Sequence, residues 1–162
     1  MRLTRHTNYA IRLLMYCAAN DSGRLSRVGD IAKSYGVSDL FLFKILQPLV
    51  EAGMVVTLRG RKGGIRLARP ASEITLRDVV AITEESFDLS ECFETGVADC
   101  PLVDSCTLNS VLHEALDAFL GVLGSYTIEN LVQEKGSVRE RLGLDKAPGD
   151  LPHASAQEAV PA

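Results

Sequence analysis

No apolar run in this 162-residue chain reaches the roughly 18 residues that a membrane-spanning helix needs. The opening Met1-Arg2-Leu3-Thr4-Arg5-His6-Thr7-Asn8 has neither the apolar stretch nor the cleavage site of a secretory signal. These two absences predict a cytoplasmic protein with no membrane partner. No Gly-Lys-Ser or Gly-Lys-Thr occurs, which excludes a Walker-type phosphate loop. The three histidines, His6, His113 and His153, are scattered, and none pairs with a cysteine in a nucleophile pattern. An enzyme is therefore not expected. No cysteine pair has the C-x2-4-C spacing usual in structural zinc sites. No internal repeat is visible.

What is present begins with charge. The total is −4, but it is unevenly spread. Residues 1–69 hold twelve Lys and Arg against four Asp and Glu, a balance of +8. Residues 70–162 hold five against seventeen, a balance of −12. A basic half on an acidic whole suggests a nucleic-acid-binding module joined to something else. With 46% hydrophobic residues, the chain can bury a core for one domain and an appendage, or for two small domains.

The first helix is predicted from Arg5 to Asn20, capped by Thr4, with Tyr9, Ala10, Leu13, Leu14 and Cys17 facing inward. Ser26 is expected to cap a second helix, Arg27 to Tyr35. Gly36-Val37-Ser38 then makes a tight turn, and Ser38 caps a third helix from Asp39 to Ala52. Pro48 should kink or break its last turn, because it lacks a backbone donor and crowds the Lys44 carbonyl. Two short helices across a Gly-containing turn form a helix-turn-helix. Met54–Leu58 and Ile65–Ala68 flank the basic tip Arg59-Gly60-Arg61-Lys62-Gly63-Gly64, which predicts a hairpin. The fold expected is therefore mainly α: a winged helix-turn-helix DNA-binding domain with a two-stranded wing.

That architecture nominates DNA contacts. Ser38, Leu40, Phe41 and Lys44 lie on the early part of the recognition helix, whose N-terminal residues meet base edges. Leu40 and Phe41 suit thymine methyls, with burial of Phe41 against the wing as the alternative; Lys44 suits a phosphate or guanine. Arg2, Arg5, Arg59, Arg61 and Lys62 would neutralise phosphates of double-stranded operator DNA.

Beyond a short linker at Arg69–Ser72, Thr75 is expected to cap a helix from Leu76 to Thr83. Three of the four cysteines follow, Cys92, Cys100 and Cys106, spaced C-x7-C-x5-C among Gly96, Pro101 and small polar residues. Such residues favour a loop, and a loop can turn its sulfurs to one point. In a reducing compartment, converging thiolates suit a soft metal or an iron–sulfur cluster rather than a disulfide. Zinc remains the alternative, and the spacing alone does not choose between them.

Thr107 is expected to cap a long helix carrying Leu108, Val111, Leu112, Ala115, Leu116, Phe119, Val122 and Leu123. So wide an apolar stripe needs a cover, and a helix-turn-helix reader usually pairs to span two half-sites. A homodimer through this long C-terminal helix is the expected arrangement. Ile128, Leu131 and Val132 suggest a short docking helix. The division expected is 1–69 for DNA binding, 70–135 for the cysteine loop and dimerisation helix, and 136–162 as a disordered tail.

The opening Met1–Thr4 with Tyr9-Ala10-Ile11, the wing ending in Arg59–Gly64, and the late cysteine trio together resemble the iron–sulfur winged-helix repressors. That family includes the IscR, NsrR and RirA regulators. The likeness covers about residues 1–135. Thr7-Asn8-Tyr9-Ala10 and the trio spacing resemble the iron-responsive RirA members most.

The resemblance implies a homodimeric repressor in which Cys92, Cys100 and Cys106 ligate a four-iron cluster, a two-iron cluster being the alternative. It implies repression of iron-uptake genes by the clustered form. The fourth ligand stays open, because Asn109 stands where the cluster-assembly regulators have a histidine, and Asn8 where the nitric-oxide sensors have an aspartate. Water or hydroxide, Asn8 of the partner subunit, His113 and a small thiol are the candidates. An open position would make the cluster labile, which suits an iron sensor. Nitric-oxide or redox sensing is the alternative signal. A redox carrier with the helix-turn-helix as mere scaffold is disfavoured by the +8 half.

Overall fold

The computed structural model describes residues 2–20, 24–60, 63–89 and 106–144. Helix α1, Arg5–Ala19, starts where the Thr4 side chain accepts the Thr7 backbone N–H, so one orphan donor of the first turn is satisfied. Its inner face places Ala10, Leu13, Leu14 and Cys17 in the core. Helix α2, Val28–Tyr35, ends at Gly36, whose φ of 64° lies in the left-handed region that favours glycine. Helix α3, Asp39–Glu51, starts at Ser38, whose hydroxyl accepts the Phe41 N–H at 3.2 Å. Its buried side, Leu42, Ile45, Leu46 and Leu49, packs on α1 and α2.

Strands β1, Val55–Leu58, and β2, Gly64–Leu67, form an antiparallel pair with Thr57 opposite Ile65. A 3-10 turn at Ala71–Glu73 leads to α4, Leu76–Thr83, which opens with a reciprocal capping box between Thr75 and Asp78. The long helix α5 spans Thr107–Gly124. Helix α6, Ile128–Leu131, returns to the core, burying Ile128 and Val132. Backbone hydrogen bonds of 2.9 Å from Leu76 to Tyr126 and from Ile128 to Ile74 fasten the start of α4 to α6. Helix α7 covers Lys135–Arg141. Among the described residues, no helix is long and apolar enough to cross a membrane.

Several local expectations are corrected. Ser26 does not cap α2; Arg27 holds the N-cap position without a side-chain bond. The Ser26 backbone is instead engaged with β2, and its hydroxyl accepts from Asn20 at 2.9 Å. Pro48 neither breaks nor ends α3, which continues to Glu51. Burial of its neighbours Leu46 and Leu49 outweighs one missing donor close to the helix end. Thr107 is the first helical residue of α5 rather than its cap, a place taken by Cys106. The segment after 135 begins as helix, not as disordered tail. Arg139 donates to the Ala19 carbonyl at 2.8 Å, and Leu142 and Leu144 pack on the core. The rest of the expected tail, 145–162, lies outside the described residues.

Candidate nucleic-acid interface and cysteine site

The outer face of α3 carries Leu40, Phe43, Lys44 and Gln47, at helical spacing opposite the buried face. Leu40 is 69% exposed and Phe43 53%. Two such apolar side chains left wet on a helix with a free outer face mark a contact surface. Ser38 and Lys44 are also exposed.

Phe41 is placed differently from the other nominated residues. It is half-buried, and it packs on α1 rather than on the wing. Its ring lies 5.3 Å from His6 and 5.4 Å edge-on from Tyr9. The Arg5 guanidinium stands 5.2 Å over the Phe41 ring. Phe43 takes the outward place that the sequence assigned to Phe41. The helical period does not separate the two rings, which flank the buried face on either side; contact with His6 and Tyr9 of α1 decides between them.

Arg2 and Arg5 are exposed near the start of α1, and Arg59 is exposed just past β1. Arg61 and Lys62 lie outside the described residues. Arg12, not nominated from the sequence, is held over the Tyr9 ring at 5.1 Å and the Tyr35 ring at 5.7 Å. Such stacking fixes a guanidinium while leaving its donors free to bind.

Of the three clustered cysteines, Cys92 and Cys100 lie outside the described residues. Cys106 is a free, half-buried thiol at the N-cap of α5. The first N–H groups of a helix favour negative charge at that point. One turn on, the Asn109 side-chain oxygen is buried and has no hydrogen-bond partner among the described residues. An acceptor three residues past Cys106, with no donor among the described residues, is compatible with a site that a further group completes. Asn8 is exposed on α1 and His113 on α5. Among the described residues, no group of three His, Cys, Asp or Glu side chains could hold a metal. Cys17 is a different kind of cysteine. Burial pushes its thiol up to about 12, so it stays protonated and packs as a small hydrophobe.

A profile for Rrf2, described as an iron-dependent transcriptional regulator, matches residues 3–134. The chain belongs to the Rrf2 family. This Rrf2 chain is 62% identical over 146 residues to Protein aau3 of Rhizobium meliloti, covering 90% of this chain and 94% of that protein. It is 42% identical over 142 residues to the HTH-type transcriptional regulator NsrR of Geobacillus kaustophilus, covering 88% and 97%. Its fold is similar to that of CymR, the global cysteine regulator of B. subtilis. The TM-score is 0.68 at 22% identity, covering 83% of this chain and 98% of that one. The winged helix-turn-helix is thus an Rrf2 fold, and DNA-binding transcriptional regulation is the function it serves.

Proposed function

We propose that this Rrf2 chain is an iron-responsive repressor of the RirA kind, binding operator DNA as a homodimer under control of a labile iron–sulfur cluster. The observation that carries this is the position of Cys106. The last thiol of the trio is fused to the N-terminus of α5, whose apolar residues Leu108, Val111 and Val122 are 62%, 53% and 59% exposed. A group held by Cys92, Cys100 and Cys106 would thus act on the helix that pairs two copies. When bound, a four-iron cluster, or a two-iron one, would tie the ends of the segment into one shape. Water or hydroxide, a small thiol, Asn8 of the partner subunit and His113 are the candidates for its open position.

Residues 1–69 would do the binding and 70–135 the sensing and pairing. Leu40 and Lys44, with Ser38 at the helix start, would meet base edges, while Arg2, Arg5, Arg59, Arg61 and Lys62 would neutralise phosphates. The iron-dependent description of the matching profile supports the iron signal. The 42% identity to NsrR supports a second one, nitric oxide.

The test is anaerobic purification, with iron and sulfide counts, followed by operator binding before and after treatment with a mild chelator. Loss of iron together with loss of operator binding is expected. Release by nitric oxide but not by chelator would favour the second signal. Protein that retains no iron, or an iron-loaded form that ignores promoter DNA, would overturn the proposal.

A further inference from the structure

Thr7 is fully buried although its side chain is polar. Its hydroxyl donates to the Glu84 carboxylate and lies 2.8 Å from the Thr83 hydroxyl. The same carboxylate oxygen accepts the Thr4 backbone N–H at 2.7 Å. Thr83 in turn donates to the Val79 carbonyl at 2.8 Å. The first turn of α1 and the last turn of α4 thus share one hydrogen-bond network. Glu84 is the C-cap of α4, where the helix dipole disfavours an anion. Its carboxylate is half-buried there, stabilised by the N–H of Thr4, the N-cap of α1, and the hydroxyl of Thr7 within it. Without it, the buried Thr7 hydroxyl would keep only the Thr4 and Thr83 hydroxyls, at 3.1 and 2.8 Å, as partners, and the exposed Thr4 N–H would turn to water.

The location gives the network its meaning. Glu84 precedes Cys92 by eight residues. Immediately beyond the network on α1, Arg5, His6 and Tyr9 hold the ring of Phe41, in the first turn of α3. A path therefore runs from Glu84, through its hydrogen bonds to Thr4 and Thr7, along the first turns of α1, to the ring contacts that His6, Tyr9 and Arg5 make with Phe41 of the recognition helix. An open cavity of about 710 Å³ beside it, lined by Thr4, His6, Lys44, Pro48, Thr83 and Glu84, leaves room for the end of α4 to move relative to α3.

We propose that Glu84 is a positioning residue, the clamp by which the cysteine segment sets the angle of the recognition helix. The proposal rests on the cluster-controlled repressor described above. Coupling through a packed network of this kind is measured by the ratio of operator affinities with and without the cluster.

Two variants of the full-length protein test it. Glu84→Ala removes the acceptor, and Thr7→Val removes the donor with little change of shape, far in sequence from the cysteines. With iron and sulfide content unchanged, each should lower the operator affinity of the loaded protein about tenfold, toward that of the apo-protein. Affinity of the apo-protein and of random DNA should hold. Amide exchange at Thr4 and Asn8 should quicken about tenfold in apo-protein, while the middle of α1 keeps its protection. A loaded-to-apo ratio equal to that of the unaltered protein in both variants would overturn the clamp as a transmitter. Unchanged amide exchange would overturn it as a clamp. If the unaltered protein itself binds equally with and without cluster, the proposed function fails, and the amide exchange still decides whether the clamp exists.

Discussion

Ser26 and Ile65 exchange two backbone hydrogen bonds of 2.8 Å, one in each direction, although they are far apart in the sequence. The pair adds a short third partner to the two-stranded wing and ties it to the entry of α2. Gly64 permits this approach, since a Cβ placed there would lie 2.7 Å from the Ser26 carbonyl oxygen. Gly64→Ala should therefore cost about 1–3 kcal/mol of stability. It should also weaken DNA binding through the wing. Thermal melts and a gel shift measure both, and an unchanged melting temperature would show that the wing adjusts freely.

Leu40 and Phe41 are neighbours with opposite duties. Leu40→Ala should leave the melting temperature within a degree or two, yet lower operator affinity about tenfold relative to random DNA. Phe41→Ala should instead destabilise the fold by about 1–2 kcal/mol, because its ring fills the space between α1 and α3. Equal effects of the two variants on stability would contradict the geometry.

Arg59 is exposed and lies on the wing, where a phosphate contact carries no sequence preference. Arg59→Ala should weaken operator and random DNA alike, and reduce the slope of log affinity against log salt by about one. A loss confined to one base position would assign Arg59 to base reading instead.

The exposed face of α5 is the expected pairing surface. Val111→Glu together with Val122→Glu would place two carboxylates on that face. If the unaltered chain sediments as the proposed dimer, this variant should sediment as monomer. A variant that remains dimeric would move the interface elsewhere.

Cys17 and Tyr35 make stability depend on alkaline pH. Burial raises both side chains to about 12, from ordinary values of 9.0 and 10.0. Both groups are neutral when protonated, and the folded state holds the proton more tightly than the unfolded state. Their contribution is therefore complete below about pH 9 and is lost as pH rises toward 12. Chemical unfolding between pH 8 and 11 should show this fall, and Cys17→Ala should flatten it. A slope unchanged in that variant would assign the dependence to other groups.

The helix-turn-helix was legible in the order of residues because its signals are local. Thr4, Ser38 and Thr75 cap helices with their own side chains, and Gly36 takes a conformation that other residues resist. The inward faces of α1 and α3 repeat at the helical period, so the core residues Leu13, Leu14, Leu42, Ile45 and Leu49 could be named in advance. The cysteine spacing and the split of charge are likewise properties of the chain alone.

Other features depend on partners distant in the sequence. Whether Ser26 caps a helix or pairs with a strand turns on where Ile65 arrives. Whether Phe41 or Phe43 faces outward turns on how α1 crosses α3, since Tyr9 and His6 claim one ring and leave the other wet. Thr7 and Glu84 are 77 residues apart, and their hydrogen bond exists only because α1 and α4 pack together. Sequence periodicity reports which face of a helix is apolar; only the packed structure decides which polar groups meet across it, because a hydrogen bond needs two partners within about 3 Å.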